Sequence, residues 1–587
     1  MPKIEINREN FFKLAERKWD TGEEFEEALV CAKAELDSPW NPEDSDGKEI
    51  LLKEPLLKIE LNDTNRPDLW STAGIARQLR LYHLPAPSLP SYPFFSRKGN
   101  LKESTHKIII EKSVSKVRPF LTGFIARGIK ITDPLLKDII QTQEKLAWNF
   151  GRKRRSISMG IYRTEIIKWP IIYKGVDPQT ASFEPLQWEG KLNLSDILKK
   201  HPKGREFASI LENEKIHPLL VDSENRILSY PPIINSSDLG EVQVGDSDIF
   251  VELTGIELKS LNLAASIVAC DLADNGFTIE PIMIEYDYDT VFGRKCISPY
   301  YFQERVFCSL KRIEKFLGEK LSADECIKAL AKMGVRAEAG KDREKGEDII
   351  LEGIFAEPPE YRNDFLHSVD VMEDVMMGRG LMSFKPERPH DFTVGRLSPI
   401  TLYSRVVKEL MTGLGFQEMI YNYLGSGKNL VGKMLGDGSK ILRITNPMTE
   451  NYEYVRDSVI SSLMESEAAS GHVSYPHKIF EVGKIAYKCE DDNYGSVTRQ
   501  YMGFLHTDRE ANFNTISSQI QTLFYYLGRE YDLEESTDKR FIPGRAAAIL
   551  YRGEAIGVFG ELHPQLLENW GLNMPGSAGE LDIEALL

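Results

Sequence analysis

Cysteine is scarce in this chain of 587 residues: Cys31, Cys270, Cys296, Cys308, Cys326 and Cys489 are the only six. No two stand in a Cys-x-x-Cys spacing, which argues against a zinc ribbon or a disulfide framework and fits a reducing cytoplasm. Long apolar runs are missing as well. The best, Leu261 to Ala273, is interrupted by Asn262, Ser266 and Asp271 and falls short of the roughly 18 residues a membrane span needs, so a buried helix is expected. The opening MPKIEINREN has no apolar stretch of the secretory kind, and no leader is expected. Positive charge is in deficit, with a net charge of −16. Such a chain is poorly suited to hold nucleic acid over its whole surface, and would bind it through a local basic patch or a basic partner. The densest basic cluster is Gly151-Arg152-Lys153-Arg154-Arg155, which reads either as a phosphate contact or as a solvated loop.

What is present suits several ordinary cores. Hydrophobic residues make up 42% of the chain, and the length predicts three or four domains. FEEALVCAKAEL has helical periodicity, and LLKIELN alternates like a strand. NRPDLWSTAGIARQLRLY reads as a loop and a helix with Ser71 as its N-cap. The four prolines of Leu84 to Phe95 predict a linker. Strand-like segments (FLTGFIARGIKI, ISMGIY, DIFVELTG, FTIEPIMIEY) and two helical ones predict a sizeable α+β domain over about 107–286. Ser322 and Glu325 form a capping-box pattern before an apolar helix. From about Pro389, helices alternate with strands again. The apolar helix Ile400 to Phe416 and the run Phe524-Tyr525-Tyr526 suit an interface or a core equally.

One segment concentrates charge. In EPPEYRNDFLHSVDVMEDVMMGRG, Asp370, Glu373 and Asp374 stand at i, i+3 and i+4 on one helical face, with Asp364 just ahead. Four such carboxylates suit a hard cation like Mg²⁺, or else form a solvated acidic face at a helix start. Aligning Arg66 with Arg362 places Asp68 on Asp364. Gly74, Arg77 and Gln78 then fall where Asp370, Glu373 and Asp374 stand. This predicts a duplicated loop–helix unit in which only the second copy is acidic.

Four segments together resemble one family: NRPDLWSTAGIARQL; the group HPKGREFA, LSYPPIINS and VELTG; YRNDFLHSVDVMEDV; and NPMTENYEYVRDSVISSLM with FGELHPQ. They are similar to the β subunit of phenylalanyl-tRNA synthetase of the shorter archaeal and eukaryotic type. The resemblance implies an α+β multidomain fold with an N-terminal mixed domain over 1–90 and a tRNA-editing domain over 91–290. A B5-like domain over 298–384 and a degenerate class II synthetase-like antiparallel-sheet domain over 389–587 follow. It implies that Asp364, Asp370, Glu373 and Asp374 bind Mg²⁺. It also implies an α2β2 heterotetramer with an α subunit that takes ATP and phenylalanine and loads tRNA(Phe), with no membrane involved. Arg456 falls where a class II enzyme carries its motif 2 arginine. No motif 3 helix ending in arginine is visible, so the α subunit is expected to do the ligation. The long bacterial type has further terminal modules that this sequence does not match, so anticodon recognition is expected elsewhere.

The resemblance further implies hydrolysis of mischarged Tyr-tRNA(Phe). A mostly apolar phenylalanine pocket rejects an added hydroxyl only modestly. Glu252 and Thr254 alternate along a strand and share a face. Glu252 would accept from the tyrosine hydroxyl or orient water, and Thr254 would donate to the carbonyl or ribose. Ser229 and Asn235 would complete the polar lining, with Leu220 as an apolar wall and Gly255 allowing close backbone approach. No nucleophilic triad is visible, so attack by water is expected. A pure assembly and tRNA-binding subunit is the alternative.

Overall fold

The computed structural model describes residues 2–40, 56–83, 89–343, 349–391 and 393–587. The fold is mixed α+β with several sheets, and the chain divides into two compact units, Met1–Glu387 and Arg388–Leu587. Among the described residues no helix is long and apolar enough to cross a membrane.

The first unit contains the duplication, and it is larger than the aligned motif. Strand Lys3–Asn7, helices Arg8–Ala15 and Gly22–Leu29, strands Ala34–Leu36 and Leu56–Leu61, and helix Thr72–His83 form the first copy. Strand Val306–Ser309, helices Leu310–Leu317 and Ala323–Lys332, strands Arg336–Arg343 and Ile350–Glu357, and helix Ser368–Arg379 repeat the order. Each copy has a three-stranded antiparallel sheet with its third strand in the middle. Both loops are set by an Arg-x-Asp fork. Arg66 Nε and Nη2 donate to the two Asp68 oxygens at 2.8 Å each, and Arg362 donates likewise to Asp364 at 3.0 and 2.6 Å. Each arginine then reaches twelve residues on, to Gln78 at 3.3 Å or Asp374 at 2.6 Å.

Between the copies lies a ten-stranded sheet. Its path runs from strand Ile234–Asn235 through Ile227–Tyr230 and His217–Val221 to Phe120–Arg127, Ile249–Gly255 and Ile157–Arg163. The sheet curls until its two ends meet: the Tyr162 hydroxyl of the last strand lies 3.4 Å from Asn235 Oδ1 of the first. One face packs on helices Asp133–Lys145 and Leu258–Asp274. The other encloses a second core of Ile108, Leu121, Ile125, Tyr173, Leu220, Leu228 and Phe250. The predicted strands and the buried apolar helix are all in place, the latter stopping before Gly276 at φ +94°. The capping box of Ser322 and Glu325 is formed as expected.

Two local expectations change. The helical reading of FEEALVCAKAEL fails at Lys33, whose φ of 50° turns the chain into strand Ala34–Leu36. Of the proline-rich linker, residues 84–88 lie outside the described ones. Tyr92 and Phe95 are buried, and Tyr92 donates to Asp274 at 3.0 Å, so this part is packed against the protein.

The second unit has a seven-stranded sheet, antiparallel except where Gln417–Glu418 joins His477–Lys488. Helices Pro399–Gly413 and Phe513–Leu527 supply one of its cores, and Ile460–Ala469 with Pro564–Trp570 the other. The aromatic run divides between core and surface. Phe524 is 1% exposed, while Tyr525 and Tyr526 are 77% and 67% exposed, because successive helical positions turn by about 100°.

Candidate functional site

The interior of the curled sheet is polar at one place. Glu252 and Thr254 lie on strand Ile249–Gly255, next to the last in the sheet and covered on both faces, so both are buried, at 2% and 0% exposure. Leu220, Ser229 and Asn235 sit opposite one another on three neighbouring strands at the far end of the sheet. The curl brings these two groups together through Tyr162. Its hydroxyl donates to Glu252 Oε1 at 3.1 Å and adjoins Asn235 and Ser229. Two buried polar atoms here are under-satisfied: Glu252 Oε2 has no hydrogen-bond partner among the described residues, and Ser229 Oγ has only the adjoining Tyr162 hydroxyl. Each such atom costs about 1–3 kcal/mol, which marks the spot as one that a polar ligand would complete.

Glycine keeps the space. Glu252 pairs with Gly123 on one side and Gly160 on the other. A Cβ on Gly160 would stand 2.3 Å from the Tyr162 hydroxyl and 2.7 Å from Glu252 Oε1. Gly160→Ala is therefore expected to displace both side chains, which the near-ultraviolet circular dichroism of the tyrosine would report. Gly255 serves the close approach expected of it, since a Cβ there would lie 2.6 Å from the Ser156 carbonyl.

Burial pushes the Glu252 carboxyl up to about 7, with the Tyr162 hydrogen bond and the Arg118 charge pulling the other way. The Thr254 hydroxyl lies 2.9 Å from Ser158 Oγ and accepts from Arg118 Nε at 2.8 Å. Arg118 is a fully buried guanidinium that also donates to the Thr254 carbonyl at 2.6 Å and to the carbonyls of Arg154 and Arg155 at 3.2 and 3.1 Å. Burial lowers its pKa to about 10. Sequence reasoning missed Tyr162, Gly160, Ser158 and Arg118. The alternation of ISMGIY, with a glycine inside a strand, was the available signal for the first three.

The acidic helix Ser368–Arg379 presents a different arrangement. Asp364, Asp370, Glu373 and Asp374 line one cavity of about 20 Å³, together with Lys33, Asp63, Arg66 and Arg362. As oxygen donors around a small void, they fit Mg²⁺ in kind. Their present contacts are internal. Arg362 holds Asp364 and Asp374, and Lys33 holds Glu373 at 2.5 Å and Asp63 at 2.8 Å. Asp370 caps the helix, accepting from the amides of Leu366 and His367 at 2.7 Å each. Among the described residues no three acidic, cysteine or histidine groups converge in a metal-holding cluster. Burial pushes the Asp364 carboxyl up, but the Arg362 charge and hydrogen bond outweigh it and leave it below the usual range; for Asp374 burial prevails and the value rises.

Comparison with known proteins gives one consistent result. The family model for the phenylalanyl tRNA synthetase beta chain CLM domain matches residues 387–583, and the tRNA synthetase B5 domain model matches 306–381. The phenylalanine–tRNA ligase beta subunit of Borreliella burgdorferi is 44% identical over 589 residues, covering all of both chains. That of Treponema pallidum subsp. pallidum is 41% identical over 615 residues, again covering all of both. The chain belongs to the phenylalanine–tRNA ligase beta-subunit family. A crystal structure of an N-terminal fragment of the phenylalanyl-tRNA synthetase beta subunit from Pyrococcus horikoshii is also similar, with 31% identity and a TM-score of 0.56. It covers 65% of this chain and all of that one.

Within the region matched by the beta-chain domain model, Arg456 is fully buried and already occupied. Its guanidinium grips Glu481 in two hydrogen bonds of 2.6 and 2.8 Å and donates to Ser462 Oγ and the Lys484 carbonyl at 3.0 Å each. A Cβ on Gly483 would stand 2.2 Å from it. A guanidinium so committed has little left for a triphosphate. Titration of this chain alone with ATP is expected to give no binding heat at this arginine, with wild type and Arg456→Lys alike.

Proposed function

We propose that this chain is the β subunit of a phenylalanine–tRNA ligase that works with an α subunit in an α2β2 complex in the cytoplasm. The α subunit would activate phenylalanine with ATP and load tRNA(Phe). Full-length identity of 41–44% to curated beta subunits supports this reading. The fully committed Arg456 supports a C-terminal class II-like domain that does not itself catalyse ligation. Similarity to the Pyrococcus fragment is consistent with the shorter archaeal and eukaryotic type, while the relatives that match over the full length are the bacterial chains of Borreliella and Treponema.

The curled-sheet domain, in our reading, edits: it hydrolyses Tyr-tRNA(Phe). The observation that carries this is a buried, unpartnered carboxylate oxygen on Glu252 beside the Tyr162 hydroxyl and Ser229. Leu220, Asn235 and Thr254 complete the lining. The test is deacylation of Tyr-tRNA(Phe) by the co-purified α–β complex, comparing wild type with Glu252→Gln and Thr254→Val. Loss of deacylation with phenylalanine charging intact is expected. The near-complete burial of these residues favours the alternative of a pure assembly subunit; unchanged deacylation in both variants would favour it further, and no deacylation by the wild-type complex would establish it.

Asp364, Asp370, Glu373 and Asp374 are proposed as the Mg²⁺ ligands. The ion would neutralise like charge and tie loop to helix, competing with Lys33 and Arg362 for the carboxylates. Lys33→Met is then expected to raise Mn²⁺ affinity several-fold, and Asp370→Asn to lower it at least tenfold, read by electron paramagnetic resonance of added Mn²⁺. Equal affinities in all three proteins would leave the cluster as an internal charge lattice.

A further inference from the structure

Strand Ile157–Arg163 runs beside strand Ile249–Gly255 with Ser158 opposite Thr254, Gly160 opposite Glu252 and Tyr162 opposite Phe250. The Tyr162 ring stacks on Phe250, with ring centres 5.6 Å apart and planes at 27°, and Trp169 meets the same phenylalanine edge-on at 5.4 Å. The phenol does not continue this apolar stack. It leans one pair along the ladder, over Gly160, until its hydroxyl reaches Glu252 Oε1 at 3.1 Å. A diagonal neighbour of this kind is within reach of an aromatic side chain. The bare α-carbon of Gly160 leaves the room, since a Cβ there would overlap the hydroxyl.

A phenol has a single proton to donate. Here it goes to Glu252, which is nearer than Asn235 Oδ1 at 3.4 Å, and Ser229 adjoins the phenol oxygen. As core packing the arrangement is poor, because Glu252 Oε2 stays without a partner where an apolar pair would leave no such atom. Burial also closes the site. Leu220, Ser229, Glu252 and Thr254 are at most 2% exposed, so a ligand reaches them only after a side chain withdraws. Tyr162 touches both groups, and its withdrawal opens the space between them.

We propose that Tyr162 is an internal stand-in for the tyrosyl side chain of the mischarged ester: its phenol holds the Glu252 carboxylate in the free protein and is displaced by the phenol of the substrate. The inference rests on the editing reading for the identity of that substrate. The exchange is balanced for a tyrosyl group, which returns to Glu252 the hydrogen bond that Tyr162 gives up. A phenylalanyl group returns nothing. Opening then leaves the buried carboxylate unpaired and is disfavoured roughly 10–100-fold. The stand-in is a latch that keeps the correctly charged product out and that only a hydroxyl-bearing side chain lifts.

The test uses the α–β complex with 3-fluorotyrosine at position 162 and two non-hydrolysable probes, adenosine carrying tyrosine or phenylalanine in amide linkage at its 3′ position. The tyrosyl probe is expected to move the fluorine resonance from a buried to a solvated position. The phenylalanyl probe should need at least about tenfold more for the same shift. Tyr162→Phe keeps the ring and removes the latch. It should raise kcat/KM about tenfold for deacylation of both Tyr-tRNA(Phe) and Phe-tRNA(Phe), with their ratio unchanged. A tyrosine with a merely structural role would give no such gain. Rates unchanged or lowered by Tyr162→Phe, in a complex whose wild type deacylates, would overturn the stand-in and keep editing. A fluorine shift with the tyrosyl probe in a complex that does not deacylate would end the editing reading and keep the stand-in. A resonance that stays buried at saturating tyrosyl probe would overturn the stand-in whatever the deacylation.

Discussion

Arg362→Met is expected to destabilise the first unit by about 3–5 kcal/mol, the cost of leaving a buried ion-pair network without its cation. The arginine side chain is 1% exposed, and Asp364 and Asp374 are 10% and 8% exposed. Removing it strands two carboxylates that cannot both be hydrated. The companion prediction separates charge from shape. Arg362→Met combined with Asp364→Asn and Asp374→Asn should recover most of the loss, because neutral amides cost far less to bury than lone charges. Hydrogen exchange in helix Ser368–Arg379 reads both effects. Equal protection in wild type and the single variant would mean that another cation holds the cluster.

Glu252→Gln should do two opposite things. It should abolish deacylation of Tyr-tRNA(Phe), and it should stabilise strand Ile249–Gly255 at neutral and alkaline pH. Burial raises the Glu252 pKa in the folded chain from 4.5 to about 7. A raised carboxyl favours folding fully below its unfolded value and loses that contribution as pH rises through the folded one. At about 1.36 kcal/mol per pKa unit, the loss amounts to about 3 kcal/mol by pH 8. The glutamine variant escapes it, so its advantage in exchange protection should grow from pH 4.5 to about 7 and level off. A carboxylate kept at that cost, where an amide would be stabler, is what the proposed editing role would require.

The sequence made part of this legible. Period-2 patterning located the strands, and alternation put Glu252 and Thr254 on one face, where they stand. The forked loop was visible as Arg66-x-Asp68 against Arg362-x-Asp364, yet the duplication extends over whole domains whose remaining sequence no longer displays it. Tyr162 was hidden for a topological reason: it reaches Asn235 only because the sheet curls, and pairing order across ten strands is not written in local pattern. The acidic helix misled in a different way. Spacing showed four carboxylates but not Lys33, 340 positions from Glu373, or the Arg362 fork that divides them.

The paired copies also bear on how the chain is made. Arg66 and Leu69 of the first copy line the same cavity as Arg362 and Asp374 of the second, and Arg77 stacks 4.2 Å from Tyr361. At roughly 5–20 residues per second, the ribosome completes the first copy about 15–60 s before it completes the second. Throughout that interval the N-terminal copy carries one half of a charged interface, and the strands of the curled sheet are translated before the other half. Of the elements that form this interface, the acidic helix Ser368–Arg379 is the last to be synthesised.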